Sequence, residues 1–195
     1  MENYKLLDNN KKLPAKAIVG IILLTVFSRL APHPANFTPV AAVALFSGAN
    51  FSSGWAFLIP LSAMFLSDFF LGFHSTMIYV YFSFLIIFYL GRLIKTASFR
   101  RIFFISVVSS VLFFLITNFG VWLTSGMYLK NLNGLIICYL NGLPFFRQTI
   151  VGDWVYVFGF FYGYRFLKTW FKQIKLFIMD LWQKILPLFQ THFNR

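Results

Sequence analysis

The chain has 195 residues, of which 59% are hydrophobic and 11% charged, with 28 Phe, 9 Tyr and 5 Trp. An ordinary soluble domain carries about 25% charged residues, and one this apolar could not cover its surface, so the expectation is a single-domain membrane protein. A formal net charge of +12 would fit a nucleic-acid partner if it were clustered, but the cations fall between apolar segments, which points to a lipid bilayer and to no nucleic acid.

Residues 1–16 are polar and carry Lys5, Lys11, Lys12 and Lys16; residues 17–31 then run apolar until Pro32, which cannot continue a helix. The stretch that follows lacks a small-x-small cleavage pattern, so this reads as an uncleaved first span. The second and third runs, residues 40–54 and 55–72, are short for a bilayer core of about 30 Å at about 1.5 Å per residue; each must be tilted or sheltered by protein. The fourth, residues 76–95, and the fifth, residues 102–124, are long enough to cross. Residues 125–149 hold Gly126, Asn131, Asn133, Gly134, Asn141, Gly142 and Pro144. The apolar piece between them, residues 135–140, is therefore expected to lie on the surface or re-enter. A sixth span is expected over residues 150–167.

Charge placement supports an even number of spans, because cytoplasmic loops retain Lys and Arg. Six spans leave only Arg29, Lys130 and Arg147 of the 17 Lys and Arg on the outer side. Both termini are then cytoplasmic, in a multi-pass protein of the inner (cell) membrane. Residues 1–168 form the all-α transmembrane domain and residues 169–195 a cytoplasmic tail. In that tail Trp170, Phe171, Ile174, Phe177, Ile178 and Leu181 recur at helical spacing, with Lys168, Lys172 and Lys175 mostly opposite. This is a basic amphipathic helix, expected to end at Pro187 and to lie in anionic headgroups or to dock a partner.

No phosphate loop, dinucleotide fingerprint, HExxH or GxSxG occurs. No nucleophile–base–orienter set can be argued from spacing either, so no catalytic residues and no enzyme activity are expected. Cys138 is the single cysteine and no Cys/His cluster has metal spacing; neither metal nor cofactor is expected. Candidates for function are instead the polar residues in or beside the apolar spans, where they are costly. Arg29, His33, Asn36, Asp68, His74, Asn118 and Trp122 all fall toward the outer side. They offer charge, imidazole, amide and aromatic surface suited to a small polar solute. Arg29 is the natural partner for Asp68, and Asn118 and Trp122, one turn apart, share a helix face. Asp153 is expected in a first helical turn, complementing the helix dipole. Ala44 and Gly48 make a small-xxx-small face for a neighbouring helix, in this chain or in a partner subunit.

The run Arg29-Leu-Ala-Pro-His-Pro-Ala-Asn-Phe-Thr-Pro-Val-Ala-Ala-Val-Ala-Leu-Phe-Ser-Gly-Ala resembles the opening of a family of small uncharacterised bacterial six-helix membrane proteins. Pro60, Ser67-Asp68, Gly72-Phe73-His74, the segment from Phe113 through Asn118 to Trp122, Tyr139, Pro144-Phe145-Phe146 and Gly152-Asp153 agree with it. That family in turn looks like the substrate-binding S components of energy-coupling-factor vitamin transporters. The resemblance implies a subunit that binds a vitamin-like micronutrient or precursor at the outer side. It also implies a separate transmembrane coupling subunit with ATPases as its partner. The long basic tail lies outside the shared pattern. The rival expectation is a membrane scaffold or assembly protein whose buried polar residues only hold helices together.

Overall fold

The computed structural model describes residues 15–94 and 98–193, with side chains to residue 183. Lys5, Lys11, Lys12, Lys95 and Arg195, used above to orient the chain, lie outside the described residues, as does the side chain of Lys184. Six α-helices follow in order, and no strand occurs among the described residues: α1 (Ala15–Leu30), α2 (Val40–Asn50), α3 (Leu58–Leu71), α4 (Met77–Gly91), α5 (Phe99–Thr124) and α6 (Leu132–Phe193). A single 3-10 turn, Gly54–Phe57, leads into α3. Residues up to Phe160 make one compact unit and Phe161 onward a second.

Among the described residues two stretches are long and apolar enough to cross a bilayer: Gly54–Leu71, the 3-10 turn with α3, and Phe99–Thr124, which is α5. The first of these had been expected to be short. Conversely α4, expected to be a full span, has only 15 residues, or about 22 Å at the usual rise. The remaining apolar length before residue 95 goes into a turn at Arg92–Leu93, where the backbone N–H groups bond carbonyls three residues back.

The first unit is built around α2, which is buried from Val40 through Ala49. Eleven residues are short for a bilayer core, and a helix apolar on every side is one made to be sheltered by its neighbours. Its closest neighbour is α4, and the approach is set by glycine. A Cβ on Gly48 would collide with the Phe88 carbonyl, and one on Gly91 with the Leu45 carbonyl. The backbones therefore touch at two reciprocal points one turn apart. Ala44, fully buried, and Gly48 are thus covered from within the chain. Of the two expected neighbours, a helix of this chain is the one that covers the face.

Helix α1 packs on α3, and α4 on α5. On that second interface the Tyr79 ring occupies the space a Gly120 side chain would need, and Phe84 and Phe113 meet at 5.2 Å between ring centroids.

The largest departure from expectation is α6. Residues 135–140, expected as a surface or re-entrant piece, and the sixth span starting near residue 150 are one continuous helix. Asn131 starts it by accepting the Gly134 N–H at 2.9 Å through its side chain, an N-cap to the third helical residue. Of the glycines that read as breakers, Gly126, at φ 73, does lie between helices, whereas Gly142 is a contact point within α6, directly against the Asn118 side chain. Proline removes one hydrogen bond and crowds one carbonyl, which a helix supported by neighbours absorbs. α6 accordingly passes Pro144 and also Pro187, which does not end it.

Candidate functional site

The first element of the site is a buried ion pair. Arg29, in the last turn of α1, reaches α3 and donates through Nη1 to Asp68 Oδ1 at 2.8 Å. It also donates to the Ser67 hydroxyl and to the Met64 carbonyl at 3.3 Å. The second carboxylate oxygen of Asp68 accepts the Tyr81 hydroxyl of α4 at 2.8 Å. Asp68 is 1% exposed, so its charge is matched by one cation and its oxygens by separate donors. The expected pairing forms, and it ties three helices together.

Above this pair the α1–α2 connection is rigid by construction. Its prolines at 32, 34 and 39 fix φ. Phe37 donates its N–H to the Pro34 carbonyl at 3.0 Å, with Asn36 held at φ 60, a left-handed conformation that asparagine tolerates better than most residues. Phe37 then lies on α6: Gly152 leaves room for it, and its ring meets Tyr156 edge-on at 5.5 Å. The His33 ring lies between the carbonyls of Pro34, at 2.8 Å, and Arg29, at 3.2 Å.

Under this connection lies a cavity of about 510 Å³. Arg29, His33, Asn36, His74 and Asn118, all singled out from the sequence, line it. The sequence reading missed Thr38, Thr117, Tyr128 and Asn141, which line it as well. Asn141 was missed because its segment was not read as helical. Once α6 is continuous, Cys138, Asn141, Gly142 and Phe145 fall at i, i+3, i+4 and i+7, one face. Phe84, Phe113, Val80 and Val121 supply apolar wall. Amide, imidazole, hydroxyl and guanidinium groups at separate points on an apolar surround can fix the orientation of a small polar molecule.

Two expected members stand elsewhere. Asp68 does not line the cavity; it stands behind Arg29 and holds that side chain. Trp122 lies outside: its indole N–H donates to the Leu129 carbonyl at 2.9 Å, its ring meets Phe119 and Lys130, and Lys130 donates to its carbonyl. The cavity face of α5 carries Phe113, Thr117 and Val121. Asn118 is at the edge of that face and Trp122, one turn on, is rotated past it.

Asp153 requires the largest revision. It lies well inside α6 and not in a first turn, so the helix-dipole expectation is corrected. The carboxyl group is 3% exposed, and Ser110 of α5 meets its Oδ2 at 2.6 Å. No cation is in salt-bridge range of it among the described residues. Beside it is a chamber of about 30 Å³, lined by Thr149 and Ala41 and sharing Asn36, Thr38, Phe84 and Phe113 with the larger cavity. Among the described residues no three of His, Cys, Asp and Glu come together as a metal centre would require.

No curated protein and no solved structure matches the chain. One family does, over residues 9–174, and by that match the chain belongs to a family of unknown function, DUF6580.

Proposed function

We propose that this chain is a multi-pass protein of the cell membrane that captures a small polar solute from the outer side. In this reading it is the binding subunit of a transporter that draws energy from separate partner subunits. The cavity carries the proposal: it gathers polar anchors from α1, α5 and α6 and from the α1–α2 and α3–α4 connections, and a pre-formed site lowers the ordering cost of binding. Support for six spans with both termini in the cytoplasm comes from the distribution of Lys and Arg. Many large apolar side chains also face outward, among them Phe27, Ile78 and Phe70, each about 70% exposed, which suits contact with lipid rather than water. The partner proposed by resemblance is a transmembrane coupling subunit with ATPases. The tail contributes attachment: Arg165, Lys172 and Lys175 share one side of α6, with Ile174 and Phe177 turned away from it, and would seat it on anionic headgroups.

Mass spectra of the purified protein before and after unfolding test the reading through the solute it carries. Asn141→Ala alters an exposed cavity residue, and its expected effect is loss of that solute with the melting temperature unchanged. A chain that carries nothing, or a variant that loses solute only in step with stability, favours the scaffold reading. The internally satisfied Arg29–Asp68 pair fits that alternative. Reporter fusions at both ends test topology, and a periplasmic signal from either would overturn the six-span arrangement.

A further inference from the structure

An aspartate that is 3% exposed, has one hydrogen-bonding neighbour and has no cation in salt-bridge range among the described residues is unusual, because an unpaired buried charge is strongly unfavourable. Asp68, in the same unit, shows what the chain does when it balances such a charge itself. At Asp153 no cation of the described residues plays that part. The space is there: about 30 Å³, enough for one or two water-sized groups. It adjoins the 510 Å³ cavity through four shared residues.

We propose that the chamber at Asp153 takes the positively charged nitrogen of the solute bound in the larger cavity, which makes that solute a protonated amine. This rests on the cavity reading given above and assigns its substrate class. The walls favour an organic ammonium over a bare metal ion. Phe84 and Phe113 line both spaces, and aromatic faces attract alkylammonium groups, whereas a small inorganic cation needs a shell of oxygens. Thr149 donates its own hydroxyl proton to the Phe145 carbonyl at 2.9 Å, so its lone pairs are free to accept from an ammonium N–H. Asn36 and Thr38 bring further oxygen to the rim. The amine would leave its hydration shell for Asp153, Thr149 and the ring faces, with the rest of the molecule among Asn118, Asn141 and the imidazoles.

The test uses the full-length protein in detergent, with methylammonium chloride as the probe and sodium and potassium chloride at matched ionic strength as comparisons. Methylammonium is expected to raise the melting temperature of the natural chain by about 2 °C or more over the alkali salts. Asp153→Asn, which keeps the shape and a partner for Ser110, is expected to abolish the difference. Thr149→Val is expected to require several-fold more probe for the same rise, and it carries the test if the Asn variant fails to fold. The proposal is overturned if methylammonium gives no rise, if the rise persists in both variants, or if sodium or potassium stabilises equally through Asp153. A carried solute that proves neutral or anionic, and that Asp153→Asn still retains, removes the amine assignment and leaves the cavity reading standing. Loss of carried solute in Asn141→Ala bears on the cavity reading alone.

Discussion

Asp68 and Asp153 are carboxylates withdrawn from solvent to nearly the same degree, 1% and 3% exposed, in two differently built regions. Around Asp68, the α1–α3 junction supplies a guanidinium and α4 a phenol, so its charge is matched from within the chain. Around Asp153, the α5–α6 junction supplies one serine hydroxyl and an adjoining space. The same residue type at the same depth is thus a fastening in one region and an open valence in the other. Burial alone does not distinguish them; the partners do.

The largest expected effect comes from making Asp68 resemble Asp153. Arg29→Met leaves a buried carboxylate without its cation and is expected to cost about 3–5 kcal/mol of stability, read by denaturant or thermal unfolding in detergent. A loss under about 1 kcal/mol would mean that the pair does not fasten the helices. Next is the α2–α4 seam, which like Asp68 belongs to the architecture. Gly48→Ala is expected to cost about 1–3 kcal/mol, because its methyl group meets the Phe88 carbonyl, a backbone atom that cannot swing aside. Gly20→Ala, where nothing stands within 4 Å, is the control and should not destabilise.

Trp122→Ala probes the boundary of the cavity region. It is expected to cost about 1–2 kcal/mol through lost ring contacts and one hydrogen bond, with retention of the carried solute unchanged. Loss of solute without loss of stability would place Trp122 back in the site. The smallest effect is expected at Asp153 itself: without any cation, Asp153→Asn should change stability by less than about 1 kcal/mol, since it breaks no ion pair among the described residues and keeps a partner for Ser110. The parallel substitution Asp68→Asn, which weakens charge-assisted bonds, should cost about 1.5–3 kcal/mol. Equal losses in side-by-side unfolding curves would erase the distinction between the two regions.

Five of the seven residues singled out from the sequence line the cavity, and the reason is local. Arg29 is in the last turn of α1, and His33 and Asn36 sit on the proline-bounded connection that follows, whose position is set by Pro32. His74 lies in the turn after α3. Asn118 interrupts an apolar helix. Trp122 was misplaced because sharing a face at i, i+4 fixes neighbours to within a wide arc, and the cavity occupies only part of it. The sequence leaves Asn141 and Asp153 out of place for one reason: glycine, asparagine and proline between residues 125 and 149 read as ends of structure. In the fold Asn131 is a cap, Gly142 a contact against Asn118, and Pro144 an interior residue of α6.

By itself the sequence determined the helical class, the end of α1, the pairing of Arg29 with Asp68 and the small-residue face of α2. These follow from composition, proline chemistry and the high cost of an isolated charge in apolar surroundings, all of which act over a few residues or on a single pair. Only the tertiary structure decided that α2 is enclosed, that Gly48 meets α4 of the same chain, that α6 is one helix, and that Asp153 adjoins the cavity with no cation in salt-bridge range among the described residues. Each of these depends on which distant surface comes to lie against a given residue, and a single chain's local pattern does not contain that information.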